Sequence, residues 1–305
     1  MNEMVVCLGS GDVLVGIFTE PDCPVDGELP AIVLLNSGIV HRSGPSRLYV
    51  EIARRLAARG YPSIRLDLAG IGDSDTRQEN LTDQEGNERD VRLAMDFVQS
   101  RIGTRRFLLC GLCSGADISH QVALRDDRVA GLIALDAVAY PDFRYHFRRL
   151  GRWARNPSYV YRRSVAMLRS SAIGRVLFGP PRNGQRAAPV RLFERDLPPQ
   201  EKVAAEIQGF VDRGMQALYV FAGGCPWYNS AGQFFKNFPN LRYNPQIEVE
   251  YFKQADHTYL LVADRERLID RIENWVTARF RHRPECLADP RPAETSDLDQ
   301  LPAVC

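Results

Sequence analysis

The sequence predicts an α/β fold: a doubly wound, mostly parallel sheet. Three observations carry that prediction. Short apolar runs of strand length alternate with amphipathic stretches of helical length from about residue 31 to residue 140, and the alternation resumes at about residue 215. The central runs are continuously apolar, as strands covered by helices on both faces must be. Each run ends in a Gly-rich or polar loop, so the residues able to do chemistry collect at strand carboxyl ends, where ligands bind in such sheets.

Taken in order, residues 4–18 read as a β-hairpin around Gly9-Ser10-Gly11-Asp12. Residues 21–30 form a polar loop. The run 31–35 (Ala-Ile-Val-Leu-Leu) is the first central strand, and it leaves into Asn36-Ser37-Gly38-Ile39-Val40-His41-Arg42-Ser43-Gly44-Pro45. Apolar residues at helical spacing over 47–59, with Gly60 behind them, predict a helix with a glycine cap. A strand at 63–68 runs into the turn Ala69-Gly70-Ile71-Gly72-Asp73-Ser74-Asp75, which reads as structural because no Lys follows to make it a phosphate loop. Residues 75–88 are polar and read as loop, and 88–99 as amphipathic helix. Strand 107–110, helix 117–124 and strand 129–135 follow, the last ending at Asp136. After the interruption come strand 217–222, ending at Gly223-Gly224-Cys225-Pro226, helix 230–238, strand 247–252 and helix 264–280. Residues 281–305, rich in Pro and acids, are expected to be a disordered tail.

The stretch between residues 107 and 117 organises the chain. Gly111-Leu112-Cys113-Ser114-Gly115 is a Gly-x-Cys-x-Gly turn between a strand and a helix, the nucleophile-elbow pattern with Cys at its centre. The flanking glycines let strand and helix approach closely. The central side chain then stands at a helix N-terminus, where outward-pointing N–H groups favour an anion. Spacing makes Cys113 the nucleophile and leaves Ser114 one residue late. On its own the motif reads first as a glycine-rich turn with a buried Cys. It gains weight from His257, which follows the last strand in Asp256-His257-Thr258 and would serve as base.

The 305 residues carry a formal net charge of +1 with 45% hydrophobic and 25% charged residues, an ordinary globular composition. No run of about 18 apolar residues suggests a membrane span, and the N-terminus does not read as a secretion signal. Seven scattered Cys read as free thiols of a cytoplasmic protein, with no zinc-site spacing and no cofactor motif; Cys110 and Cys113 are better explained by the turn than as a redox pair. Charge is unevenly distributed. Residues 141–200 hold thirteen Arg, no Lys and three acids, interleaved with aromatics. The expected organisation is a core over 1–140 and 216–280, with an Arg-rich helical lid inserted over 141–215, before the last two strands.

Asn36-Ser37-Gly38, Asp67-Leu68-Ala69-Gly70-Ile71-Gly72-Asp73-Ser74, the turn at 111–115 and Ala255-Asp256-His257-Thr258 occur in the order found in α/β-hydrolase-fold enzymes, which the chain resembles over roughly residues 4–280. The run from Asn36 to Pro45 resembles that of the exosortase-associated hydrolases. The resemblance implies oxyanion donors from the backbone N–H groups of Ile39 and Ser114. It also implies an acid after the next-to-last strand, where this chain has Cys225; Asp136, at the end of the strand after the elbow helix, is the alternative. Asp256 is adjacent to the His and should point away.

A Cys nucleophile with the acid on that earlier strand resembles, in layout, the Dieckmann cyclases that release chains from carrier proteins. The expected function is acyl transfer from a thioester on a carrier protein or coenzyme A, ending in hydrolysis or cyclisation. An acidic carrier protein would dock at the Arg-rich lid. Neither nucleic acid nor a membrane is expected as partner. An ester hydrolase of the exosortase-associated type and a non-catalytic binder on a hydrolase scaffold are the alternatives.

Overall fold

The computed structural model describes residues 1–141 and 197–280, apart from residues 10, 12, 26 and 226. Most of the expected lid, residues 142–196, and the whole expected tail, 281–305, lie outside the described residues.

Eight strands form one sheet: β1 (Asn2–Leu8), β2 (Leu14–Glu20), β3 (Ala31–Leu35), β4 (Ser63–Leu66), β5 (Phe107–Leu112), β6 (Val129–Leu135), β7 (Gln216–Ala222) and β8 (Ile247–Phe252). Their spatial order is β1-β2-β4-β3-β5-β6-β7-β8. The β1–β2 and β2–β4 pairs are antiparallel, and all later pairs are parallel. The chain winds outward from β3 to β4, then returns past β3 to β5 and winds the other way. The strand order therefore reverses at β3 and β5, and the crevice above their carboxyl ends is the ligand position of such a sheet. The predicted sheet is the observed one.

Helices cover both faces. On one lie α1 (Leu48–Ala57) and, at the C-terminal end, α6 (Val262–Arg279). They bury Tyr49, Ile52, Leu56, Leu268, Ile272 and Trp275 against alternate side chains of β3, β5, β6 and β7. Each such side chain contributes about 1.5–3 kcal/mol on burial. The other face carries α2 (Asp83–Ile102), α3 (Ser114–Ala123), α4 (Gln200–Asp212) and the short α5 (Gln233–Asn237).

Two of the departures from the sequence expectation bear on the layout. Helix α2 begins at Asp83, not near residue 88, because Thr82 and Glu85 form a reciprocal capping box that starts the helix inside an exposed, polar stretch. Helix α4 falls within the 141–215 stretch read above as insert. Its buried Val203, Ile207 and Phe210 nevertheless belong to the same core as β6 and β7, and its Glu206 meets His120 of α3 at 2.9 Å. By packing, α4 is a crossover helix of the sheet.

Candidate active site

Strand β5 runs to Leu112 and helix α3 starts at Ser114, so Cys113 alone makes the turn, at φ 56° and ψ −114°. Positive φ is costly for any residue but Gly and is held here by its surroundings. The Cys113 amide donates to Leu135 O at 2.8 Å, and the Leu112 amide to the Tyr49 hydroxyl at 2.9 Å. The glycines are required by close approach. A Cβ on Gly111 would strike the backbone of Gly115 and lie 2.7 Å from Ala116 N. One on Gly115 would lie 2.6 Å from Asn36 O and 2.8 Å from Leu35 O. Cys110, three residues before the turn, is fully buried, and burial pushes its thiol up to about 12. It is a packing residue and stays protonated.

His257 and Asp136 meet at the same strand ends. Asp136 follows β6, is 1% exposed and has φ 47°, a second strained residue. Its Oδ1 accepts the Ala222 amide at 2.7 Å and its Oδ2 accepts His257 Nδ1–H at 2.6 Å. Nδ1 is thereby occupied, and Nε2 is left for Cys113, with which His257 also makes a side-chain hydrogen bond. The bond to Asp136 and then the bond to Cys113 raise the His257 pKa to about 10, against the opposing effect of burial.

The neighbouring acid candidates do other work. Asp256 caps its own turn, accepting from Thr258 N at 2.8 Å and from Leu260 N at 2.9 Å. Cys225, at the position expected to hold an acid, is buried in the apolar cluster that also contains Tyr228 and Phe221. Asp136, not Asp256 or Cys225, is thus the group hydrogen-bonded to the imidazole.

The loop after β3 is tied down by polar contacts that the sequence did not single out. Asn36, almost fully buried, donates to Val40 O at 2.9 Å and to Asp67 Oδ1 at 3.2 Å, and accepts Leu68 N at 2.7 Å. Asp67 is fully buried and also accepts the Arg42 amide at 2.5 Å and the Arg42 guanidinium; Arg42 reaches on to Asp73 at 2.6 Å. Ser74 Oγ donates to Asp67 O at 2.7 Å. The Asp67–Ser74 turn thus holds the 36–42 loop against the elbow, in keeping with its structural reading. Of the two expected oxyanion donors, Ser114 stands at the first position of α3, where N–H groups have no intrahelical partner. Ile39 stands 93% exposed in the loop, and the loop amide that reaches the elbow is that of Gly38, which donates to Ser114 Oγ at 2.7 Å. A turn closed by Val40 N and Ser37 O shapes this part of the loop.

A cavity of about 300 Å³ lies between α3 and α4. Its lining includes Ala116 and Asp117 of α3, close in sequence to Cys113, Ala137 and Val138 just past Asp136, and Leu132 and Tyr219. Among the described residues, no cluster of three or more His, Cys, Asp or Glu could hold a metal ion, and no helix is long and apolar enough to cross a membrane.

Sheet order, elbow, relocated acid and loop together define an α/β-hydrolase fold. Comparison with known proteins agrees. The family described as serine aminopeptidase, S33, matches residues 27–172, just under half of the chain. No curated protein matches. Among solved structures, the chain is similar to an esterase of Pyrococcus furiosus, with 13% identity and a TM-score of 0.57 over 92% of this chain and 93% of that one. It is also similar to a thermophilic esterase of Thermogutta terrifontis, with 18% identity and a TM-score of 0.51 over 91% and 99%. An α/β serine hydrolase homologue of Coxiella burnetii matches with 16% identity and a TM-score of 0.52 over 89% and 97%. These likenesses establish the fold. The family description and the Coxiella title both name serine, whereas here the elbow centre is Cys113.

Proposed function

We propose that this protein is an acyl-transfer enzyme of the α/β-hydrolase class in which Cys113 is the nucleophile, His257 the proton carrier and Asp136 its orienting acid. The observation that carries the proposal is the continuous hydrogen-bonded chain from Asp136 through His257 to Cys113 at the strained turn. With its pKa raised to about 10, His257 keeps its proton at neutral pH, which favours a thiolate–imidazolium pair. The thiolate attacks the carbonyl carbon of an acyl thioester, and donors at the elbow stabilise the oxyanion. The bond to the leaving sulfur breaks as His257 Nε2 protonates it. Water then gives a proton to His257 and attacks the acyl-Cys, releasing an acid; in cyclisation a carbanion of the substrate attacks instead.

A thioester substrate fits a thiolate because sulfur-to-sulfur acyl exchange is nearly isoenergetic and keeps the acyl group activated. The surplus of Arg over 141–200 suits an acidic acyl-carrier protein or the phosphates of coenzyme A. A second reading, hydrolysis of a simple ester, is favoured by the esterases of Pyrococcus furiosus and Thermogutta terrifontis among the similar structures.

Intact-mass measurement with a panel of acyl thioesters and p-nitrophenyl esters tests both. One acyl mass added at Cys113, faster from thioesters, supports the proposal. Faster acylation from the esters supports the second reading. Iodoacetamide should alkylate Cys113 selectively, and His257→Ala should suppress this. Equal, slow labelling of all the cysteines would sink the catalytic reading.

The pH dependence has a definite sign. Because the folded pKa of His257 is raised from 6.5 to about 10, its charged pairing stabilises the fold fully below about pH 6.5 and is lost as pH rises through about 10. Proton delivery to the leaving group should decline over the same upper range. Asp136→Asn removes the largest raising contribution, so the alkaline limb of the acylation rate should move from about pH 10 toward neutrality. An unchanged alkaline limb would mean that Asp136 does not orient the base.

A further inference from the structure

We infer that the Ser114 hydroxyl, backed by the Gly38 amide, is itself a donor to the oxyanion; this rests on the reading of Cys113 as nucleophile. Gly38 N–H donates to Ser114 Oγ at 2.7 Å, across 76 residues of sequence. A hydroxyl that accepts on one lone pair still has its own O–H to give. The Gly38 amide is thus already engaged, and the loop after β3 acts on the reacting carbonyl through the hydroxyl. Ser114 also offers its backbone N–H at the first turn of α3. One residue, next to Cys113 in the chain, therefore presents two donors.

Three features set this hydroxyl apart from a helix-capping serine. The residue flanking α3 is Cys113, and it makes no side-chain cap bond. The Ser114 hydroxyl reaches out of its own helix to the loop. That loop is in turn fixed by Asn36 and Asp67, so the Gly38 N–H is aimed by a rigid frame. A donor that itself accepts from an N–H is polarised by it and is a stronger donor. The same geometry is consistent with the proposal that Cys113, not Ser114, is the nucleophile. Its oxygen is occupied by the loop, while His257 is engaged by Cys113.

The test separates carbonyl chemistry from thiol reactivity. Ser114→Ala and Ser114→Thr are compared with the unsubstituted protein in two reactions. One is acylation of Cys113 by p-nitrophenyl acetate and by the acetyl thioester of N-acetylcysteamine. The other is alkylation of Cys113 by iodoacetamide, which passes through no oxyanion. Ser114→Ala should lower kcat for acylation about ten- to hundred-fold with KM unchanged. Its alkylation rate should stay within about twofold of the unsubstituted value, and Ser114→Thr should restore most of the acylation. Equal or faster acylation by Ser114→Ala would overturn the inference, since the hydroxyl would then merely block the Gly38 amide. A parallel fall in alkylation would also overturn it, by showing only that Ser114 supports the turn. If the unsubstituted protein alkylates at Cys113 but is acylated by neither probe, the catalytic reading itself fails and this inference falls with it.

Discussion

Cys113→Ala should fold and lose acyl transfer, a drop on the order of 10⁴-fold or more, because it removes the nucleophile that the proposed mechanism pairs with His257. The fold should survive because Cys113 packs only at the border of the α1–α6 core and its side chain fills little of it. Cys113→Ser is the more informative partner. A hydroxyl does not ionise near neutral pH, so the serine variant depends on His257 acting as base instead of holding a preformed ion pair. It should retain slow turnover and lose preference for thioesters over esters. Stopped-flow acylation and intact mass would measure both variants. Full activity of Cys113→Ala would remove the nucleophile assignment.

Gly111→Ala should be strongly destabilising. Its Cβ would meet the carbonyl of Gly115 and the amide of Ala116, both backbone, which no rotamer change can relieve. Strand β5 and helix α3 would have to separate, and β5 is a central strand between β3 and β6. The cost should reach about 4 kcal/mol, in the exceptional range for one substitution. Urea unfolding would measure it, with Gly103→Ala as a control: that glycine lies at the end of α2, and its Cβ would meet nothing within 4 Å, so only its positive φ is strained. Equal midpoints for the two variants would refute the close-approach argument.

The fold was legible because each central strand is continuously apolar and each helix keeps one apolar face. Legibility failed where local chemistry replaces periodicity. The first turn of α2 is polar and exposed, and only the Thr82–Glu85 pair marks it. Helix α3 starts at Ser114, not 117, because Ser114, Gly115 and Ala116 are too small to show a pattern. In α4 the signal was present, with Val203, Ile207 and Phe210 at helical spacing, but the Arg-rich composition just before it drew the boundary too far.

At the site, Cys113, His257 and Asp136 could be chosen as residues at strand ends, since topology alone brings such ends together. What could not be read was direction. That the Gly38 amide meets the Ser114 hydroxyl depends on a turn held by Asn36 and Asp67. Arg42 escaped notice for a similar reason: its partners are 25 and 31 residues away.

The two oxygens of Asp136 have a consequence for how the site responds to deformation. One is bound to β7 through Ala222 N and the other to the imidazole, while the Asp136 amide donates to Val220 O. The carboxylate is thus a rivet through the β6–β7 seam, and the imidazole hangs from it. A slip of one residue between these strands, about 3.3 Å, would carry the ring out of reach of Cys113 while leaving the rest of the sheet paired. The hydrogen-bonded chain from Asp136 to Cys113 is therefore a gauge of strand register, with a tolerance far finer than that of the fold that carries it.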